Sequence, residues 1–203
     1  RWCVRSRGLG DVYKRQPYGF VASTLIDQIA DKHGREIAWR PFLIGAVYKE
    51  HGGVPLEHPL KRDYAIKDFL RTGRFNGLAG MQLPANFPAS PVPPSRVFYW
   101  IEGQDKAKAA EFAKAAYRRY WIDGCDTADP SVAVGVAQEL GYAADDVMAG
   151  AQDDAVKGRL RQETADAMAR GVFGSPYIIV DGEPFWGGDR FAQLDSWLET
   201  GGF

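Results

Sequence analysis

Apolar positions recur at helical spacing over most of the chain and form strand-like runs only near its two ends. Phe20, Val21, Leu25 and Ile29 fall on one face of a helix that opens at Pro17 and stops at Gly34. Proline suits the opening turn because an N–H there has no partner within the helix. "EIAWRPFLI" (36–44) reads as a strand, with Ile37 and Trp39 alternating until Pro41 ends the ladder or marks an edge. Residues 45–60 read as a Gly/Pro/His connection. "LKRDYAIKDFLRTG" is an amphipathic helix, and "LPANFPASPVPPS" (83–95) carries too many prolines for regular structure. "DKAKAAEFAKAAYRRYWID" gathers Ala110, Ala113, Tyr117, Tyr120 and Trp121 on one broad face. In "DPSVAVGVAQELG", Asp129 is the N-cap, Pro130 the first turn and Gly141 the stop. "DDAVKGRLRQETADAMARG" puts Val156, Leu160, Thr164 and Met168 in register.

The last stretch is β. Tyr177–Val180 is a continuous apolar strand, Asp181-Gly182 a hairpin turn, and Glu183–Trp186 the returning partner. Asp189 reads as the cap of a terminal helix that turns Phe191, Leu194, Trp197 and Leu198 inward. The order is helix, strand, a long helical block, hairpin, helix. Two short β pieces that each leave an edge unpaired must join one another. The pattern therefore predicts an α/β fold with a single sheet, split by an all-helical insertion.

Composition narrows the choice of function. The 203 residues are 45% hydrophobic and 25% charged with a net charge of −1, which lacks the basic excess of a nucleic-acid or membrane-surface protein. No apolar run approaches the roughly 18 residues of a membrane helix. Cys3 and Cys125 form no C-x-x-C, which disfavours dithiol exchange and a cysteine-held zinc. His51 and His58, in the Gly/Pro-rich connection, read as solvent-facing rather than as metal ligands, and no metal site is expected. The lack of a leader's apolar core and of paired cysteines points to the cytoplasm.

Residues 1–16, "RWCVRSRGLGDVYKRQ", show no helix or strand period, and "GLGDVYKRQ" resembles translated adapter read-through. They are set apart as a non-native segment. Residues 17–48 are assigned to the first part of the main domain, 49–170 to the helical insertion and 171–203 to the second part.

Five motifs carry a family resemblance: "PYGF", "WRPFLIGAV", "DYAIKDFLR" (63–71), "PANFP" and above all "GVFGSPYIIVDGEPFWGGDR" (171–190). Over about residues 17–200 the chain resembles the DsbA-like superfamily with a thioredoxin fold. Within it, the likeness is to the branch of 2-hydroxychromene-2-carboxylate isomerase and the kappa-class glutathione transferases. The resemblance implies a cis peptide bond at Pro176, before the third strand; proline is the residue that tolerates one. It implies glutathione as cofactor, its cysteinyl unit pairing with the backbone of Ser175 as an added β segment. Gly187-Gly188-Asp189-Arg190 would take the γ-glutamyl end: helix-terminal amides at Gly188 for its carboxylate, and Asp189 for its ammonium, with Arg190 beside them.

Around the glutathione, the resemblance implies a substrate pocket of Tyr18, Lys67, Arg71, Asn86 and Trp186, with Lys67 and Arg71 one helical turn apart to meet an anion. The resemblance implies a glutathione-dependent isomerase whose substrate would be a small aromatic-derived enone acid, and a homodimer is in keeping with the family. The family places a serine directly before Pro17, whose hydroxyl donates to the glutathione sulfur. Here that position is Gln16, and the usual apolar first strand is missing or replaced by the anomalous segment, so the chain reads as truncated at its start and is not expected to be active as written. The alternatives are a kappa-type transferase, a disulfide oxidoreductase, for which Gln16–Gly19 holds no dithiol, and a non-catalytic glutathione-binding module.

Overall fold

The computed structural model describes residues 3–7, 16–52 and 59–203, with the side chains of residues 3–7, 16 and 51 outside that description. A small mixed sheet is made from the two ends of the chain, and a helical body is inserted between them. The strands are β1 (Cys3–Arg7), β2 (Glu36–Ile37), β3 (Tyr177–Val180) and β4 (Glu183–Trp186), in the order β2-β1-β3-β4. β1 runs parallel to β2, with Cys3 opposite Glu36, and antiparallel to β3, with Val4 opposite Val180. β3 and β4 form the expected hairpin, Tyr177 opposite Trp186. At its turn Asp181 (φ 51°) and Gly182 (φ 95°) both adopt the left-handed backbone of a tight two-residue connection.

β1 is the first departure from the sequence pattern. The segment set apart as lacking any strand period supplies one of the two inner strands, so the family's apolar first strand is replaced rather than missing. Ladder bonds on both sides, from β2 and from β3, define this strand where the polar side chains of "CVRSR" gave no sign. Residues 1–2 and 8–15 lie outside the described residues.

α1 (Gln16–Lys32) follows, as the pattern predicted, and buries Phe20, Val21 and Ile26. The strand expected over 36–44 is only two residues long. From Ile44 the apolar spacing changes to three and four (Ile44, Val47, Tyr48), and the chain forms α2 (Ile44–His51) where a connection was expected. Phe42, Ile44 and Val47 pack with Ala167, Val172 and Tyr177 into a second, smaller core on one face of the sheet. His58 and the side chain of His51 lie outside the described residues.

The insertion comprises α3 (Pro59–Phe75), α4 (Val92–Glu102), α5 (Lys106–Trp121), α6 (Pro130–Glu139), α7 (Ala144–Gln152) and α8 (Asp154–Ala169). α4 overlaps the proline-rich stretch read as a loop to residue 95. Pro93 and Pro94 sit in its first turn, where a missing N–H breaks no helical bond. It is the centre of the insertion and buries Val97, Phe98, Tyr99 and Ile101. Asp105, Asp129 and Asp153 cap α5, α6 and α8, each accepting from first-turn amides. Among the described residues, no helix is long and apolar enough to cross a membrane.

A charge cluster built on the buried Glu163, with Arg40 and Glu102 half-buried and Arg159 at its exposed edge, joins the insertion to the segment after β2. Arg40 lies 2.8 Å from Glu102 and 3.9 Å from Glu163, and Arg159 lies 2.9 Å from Glu163 and 3.8 Å from Glu102. Beside them Tyr99 Oη donates to the carbonyl of Pro41 at 2.5 Å, and Leu43 N–H donates to Thr164 Oγ1 at 3.0 Å. Burial, with Glu163 and Glu102 nearby, pushes the Tyr99 hydroxyl far above its ordinary pKa. The turn Arg40–Leu43 is thus held by side chains of α4 and α8.

Candidate functional site

The start of α1 is where the two parts of the sheet unit and the insertion meet. The Ser175–Pro176 peptide bond is cis, as the resemblance implied, and Phe87–Pro88 is a second cis bond. Ser175 is buried beside the first turn of α1: a Cβ on Gly19 would lie 3.0 Å from its hydroxyl. One turn further on, a Cβ on Gly188 would lie 4.0 Å from that of Ala22, which brings the Gly187-Gly188 loop to the same helix. The carbonyl of Pro176 accepts from Gly187 N–H at 3.0 Å, tying that loop to the proline turn. Gln16 is the first residue of α1, so the position of the family serine stands at the helix N-terminus, where amide dipoles favour negative charge. Its side chain lies outside the described residues.

Asp189 does not cap the terminal helix, contrary to the sequence reading. A 3-10 turn over Gly188–Arg190 precedes α9 (Phe191–Thr200), whose cap residue is Arg190 with no side-chain bond. The turn satisfies the amides of Arg190 and Phe191, Arg190 N–H reaching Gly187 O at 3.2 Å and Phe191 N–H reaching Gly188 O. That spares the Asp189 carboxylate, whose side chain is 73% exposed and stands 3.6 Å from the Arg190 guanidinium. Gly187 has φ 108°, and a Cβ there would meet Asp189 Oδ1 at 2.3 Å, so the carboxylate folds back over the loop.

α3 contributes a second charged group at the mouth of α1. Tyr18 Oη donates to Asp68 Oδ2, and Arg71 donates to Asp68 Oδ1 at 2.5 Å. The hydrogen bonds to Asp68 and then to Tyr64 hold the Arg71 guanidinium above its usual pKa. Arg71 is 59% exposed, and Lys67 is exposed one turn earlier.

The remaining predicted pocket residues have partners of their own. Asn86 Nδ2 donates to Asp126, while its neighbour Phe87 packs against Phe69 and Trp121. Trp186 covers Gly174, packs edge-on to Phe173 at 4.8 Å, and lines an open groove of about 430 Å³ along the outer side of β4 with Arg190, Trp197 and Phe203. Two contributors escaped the sequence reading. Asp68 is the pivot between Tyr18 and Arg71, for which the spacing of Asp68 and Arg71 on one helix was a usable signal. Tyr117, read only as core, brings its hydroxyl to Gly19. Among the described residues no group of three His, Cys, Asp or Glu could hold a metal ion.

A four-stranded sheet, a helix starting beside a cis-proline turn and a helical insertion between β2 and β3 define a thioredoxin-type protein of the DsbA kind. The chain belongs to the DsbA-like thioredoxin domain family, which it matches over residues 15–199. It is 31% identical over 185 residues to a 2-hydroxychromene-2-carboxylate isomerase of Sphingobium xenophagum, covering 90% of this chain and 92% of that protein. It is 26% identical over 196 residues to glutathione S-transferase kappa 2 of Caenorhabditis elegans, covering 90% and 87% respectively. The solved structure of a 2-hydroxychromene-2-carboxylate isomerase superposes with a TM-score of 0.82 at 22% identity, over 97% of this chain and 94% of that one. The isomerase and kappa-transferase branch expected from the motifs is therefore the branch in which the chain's relatives lie.

Proposed function

We propose that the chain is a glutathione-dependent isomerase acting on an enone acid from aromatic breakdown, of the 2-hydroxychromene-2-carboxylate type. The observation that carries this reading is the meeting of the first turns of α1 with the Ser175–Pro176 turn and the Gly187-Gly188 loop. The cysteinyl unit of glutathione lies along Ser175 and Pro176 as an added extended segment. Its γ-glutamyl carboxylate takes the turn amides at Gly188, and its ammonium pairs with Asp189, with Arg190 beside them. Lys67 and Arg71 receive a carboxylate, from the glycyl end or from the substrate. Tyr18, Asn86 and Trp186 border the substrate space.

The chemistry follows from where the thiol would lie. A free thiol has a pKa of about 8.5, and a helix N-terminus lowers it, raising the thiolate fraction. The thiolate adds to the conjugated carbon: a C–S bond forms and the π pair moves into an enolate. The former double bond is now single and rotates. The enolate then restores C=C and expels the thiolate, leaving the substrate isomerised and glutathione unchanged. Gln16 offers an amide N–H where the family has a serine hydroxyl, so slow turnover is expected of this chain and faster turnover of Gln16→Ser. A glutathione-rich compartment such as the cytoplasm suits this chemistry.

The test is a calorimetric titration with reduced glutathione, followed by spectroscopic assay of an enone acid and of a halogenated aromatic. Binding, with isomerisation of the enone acid that rises in Gln16→Ser, is the expected result. No glutathione binding defeats the reading. The kappa relative supports a second reading, a transferase, which predicts consumption of glutathione with the halogenated substrate instead. Binding without turnover in both the native chain and Gln16→Ser would leave a binding module.

A further inference from the structure

Tyr117 reaches from α5 to the first turn of α1. It is 7% exposed, and its ring lies 6.0 Å from that of Phe20. By these measures it is an ordinary core aromatic, yet its hydroxyl is at an unusual place. A Cβ on Gly19 would stand 2.9 Å from Tyr117 Oη and 3.0 Å from Ser175 Oγ, with Tyr117 Cζ next at 3.7 Å. The face of Gly19 is thus pressed against two hydroxyls at once. One comes from the helical insertion and the other from the residue before Pro176. No side chain fits at Gly19 unless one of them moves, and both are buried in rigid surroundings.

We propose that Tyr117 is a positioning residue of the glutathione site and that Gly19 determines its geometry. Together they fix the separation between the start of α1 and the Ser175–Pro176 turn. The proposal rests on the glutathione reading above. A cysteinyl unit laid along Ser175 has its sulfur directed by that turn, and the sulfur's charge is favoured by the amides of α1. The gap between the two sets how strongly the helix acts on the thiol. Tyr117 touches neither glutathione nor substrate in this reading; it acts through Ser175 and the backbone at Gly19. A misplacement of about 1 Å at a reacting centre is enough to cost on the order of a hundredfold in rate.

The experiment is a double-mutant cycle on the full chain, reading glutathione affinity by calorimetry and ionisation of the bound thiol by its ultraviolet absorbance across pH. Gly19→Ala is expected to weaken glutathione by about tenfold, or 1.4 kcal/mol, and to raise the pH at which the bound thiol ionises. Tyr117→Phe keeps the ring and removes the nearest clashing atom. In that background Gly19→Ala is expected to lose clearly less, so the two effects are not additive. Tyr117→Phe alone is expected to shift the thiol's ionisation with little change in the thermal midpoint. A residue that merely filled the core would not move that profile. If Gly19→Ala does not fold, the ionisation profile of Tyr117→Phe decides. Additive losses, or an unchanged profile in Tyr117→Phe, overturn the proposal while leaving the glutathione reading intact. A native chain that binds no glutathione overturns both.

Discussion

Two guanidinium–carboxylate clusters in this molecule use the same chemistry at different depths. In one, Arg40, Glu102, Arg159 and Glu163 join α4, α8 and the turn after β2, and the Glu163 side chain is 7% exposed. In the other, Arg71 and Tyr18 share Asp68 at the mouth of α1, where the Arg71 side chain is 59% exposed. Taking charges out of water is costly and is offset only when every partner is in place. The deep cluster therefore behaves as a joint, intolerant of a missing member. The shallow one remains solvated, and in the proposed reading its Arg71 exchanges Asp68 for an incoming anion. Burial rather than residue type separates the structural cluster from the one suited to binding.

The largest effect should come from breaking the deep cluster. Glu163→Ala takes from Arg40 and Arg159 the buried one of the two carboxylates they share, Glu102 being the other, and is expected to cost about 3 kcal/mol in denaturant unfolding. A loss below about 1 kcal/mol would place it in the shallow class and end the contrast. Gly150→Ala comes next. A Cβ there would lie 2.1 Å from the Trp100 indole, and overpacking of this kind costs about 1–3 kcal/mol. An unchanged unfolding midpoint would show that α4 and α7 have slack which the tight contact denies.

Asp68→Asn sharpens the comparison from the other side. The stability change should stay within about 1 kcal/mol, as for solvated pairs, while calorimetry shows altered glutathione or substrate affinity because Tyr18 and Arg71 are released. A stability loss matching that of Glu163→Ala would make the two clusters alike. The smallest effect belongs to Asp195, which α9 turns toward Lys32 at 2.8 Å and His33 at 2.7 Å. Hydrogen bonds from Lys32 and then His33 hold its pKa below the ordinary carboxylate value. A lowered folded-state pKa contributes stability above the unfolded value of about 3.9, lost as pH falls through the folded one. Thermal midpoints of the native chain and Asp195→Asn should therefore differ at pH 6 and converge as pH drops below about 4. A constant difference across that range would remove Asp195 as the cause.

The sequence pattern was informative where side chains decide the structure. α1, α5, α6, α8 and the β3–β4 hairpin follow from apolar spacing, aspartate caps and the Asp181-Gly182 turn, and the motif around Pro176 led to the family. It failed where the backbone or a distant partner decides. β1 is a strand through main-chain pairing on both sides, which "CVRSR" could not reveal. α4 was hidden because Pro93 and Pro94 look like breakers until their place in the first turn is known. Asp189 looked like a cap because no one-dimensional rule separates a helix start from a 3-10 turn that satisfies its own amides. Tyr117 belonged to the right face of α5, but only the packing of α5 on α1 brings its hydroxyl to Gly19.

The register Val4 opposite Val180 has a consequence for how the molecule comes into being. The sheet is closed by neighbours in space that are nearly the whole chain apart, so this pairing carries the loop-closure entropy of everything between them. A ribosome releasing the chain would deliver β1, α1, β2 and the helical body before β3, and the Ser175 turn would meet α1 only when the final hairpin emerged. The proposed glutathione site is then the last part of the molecule to exist, and a ligand held there would favour the finished chain over every shorter one.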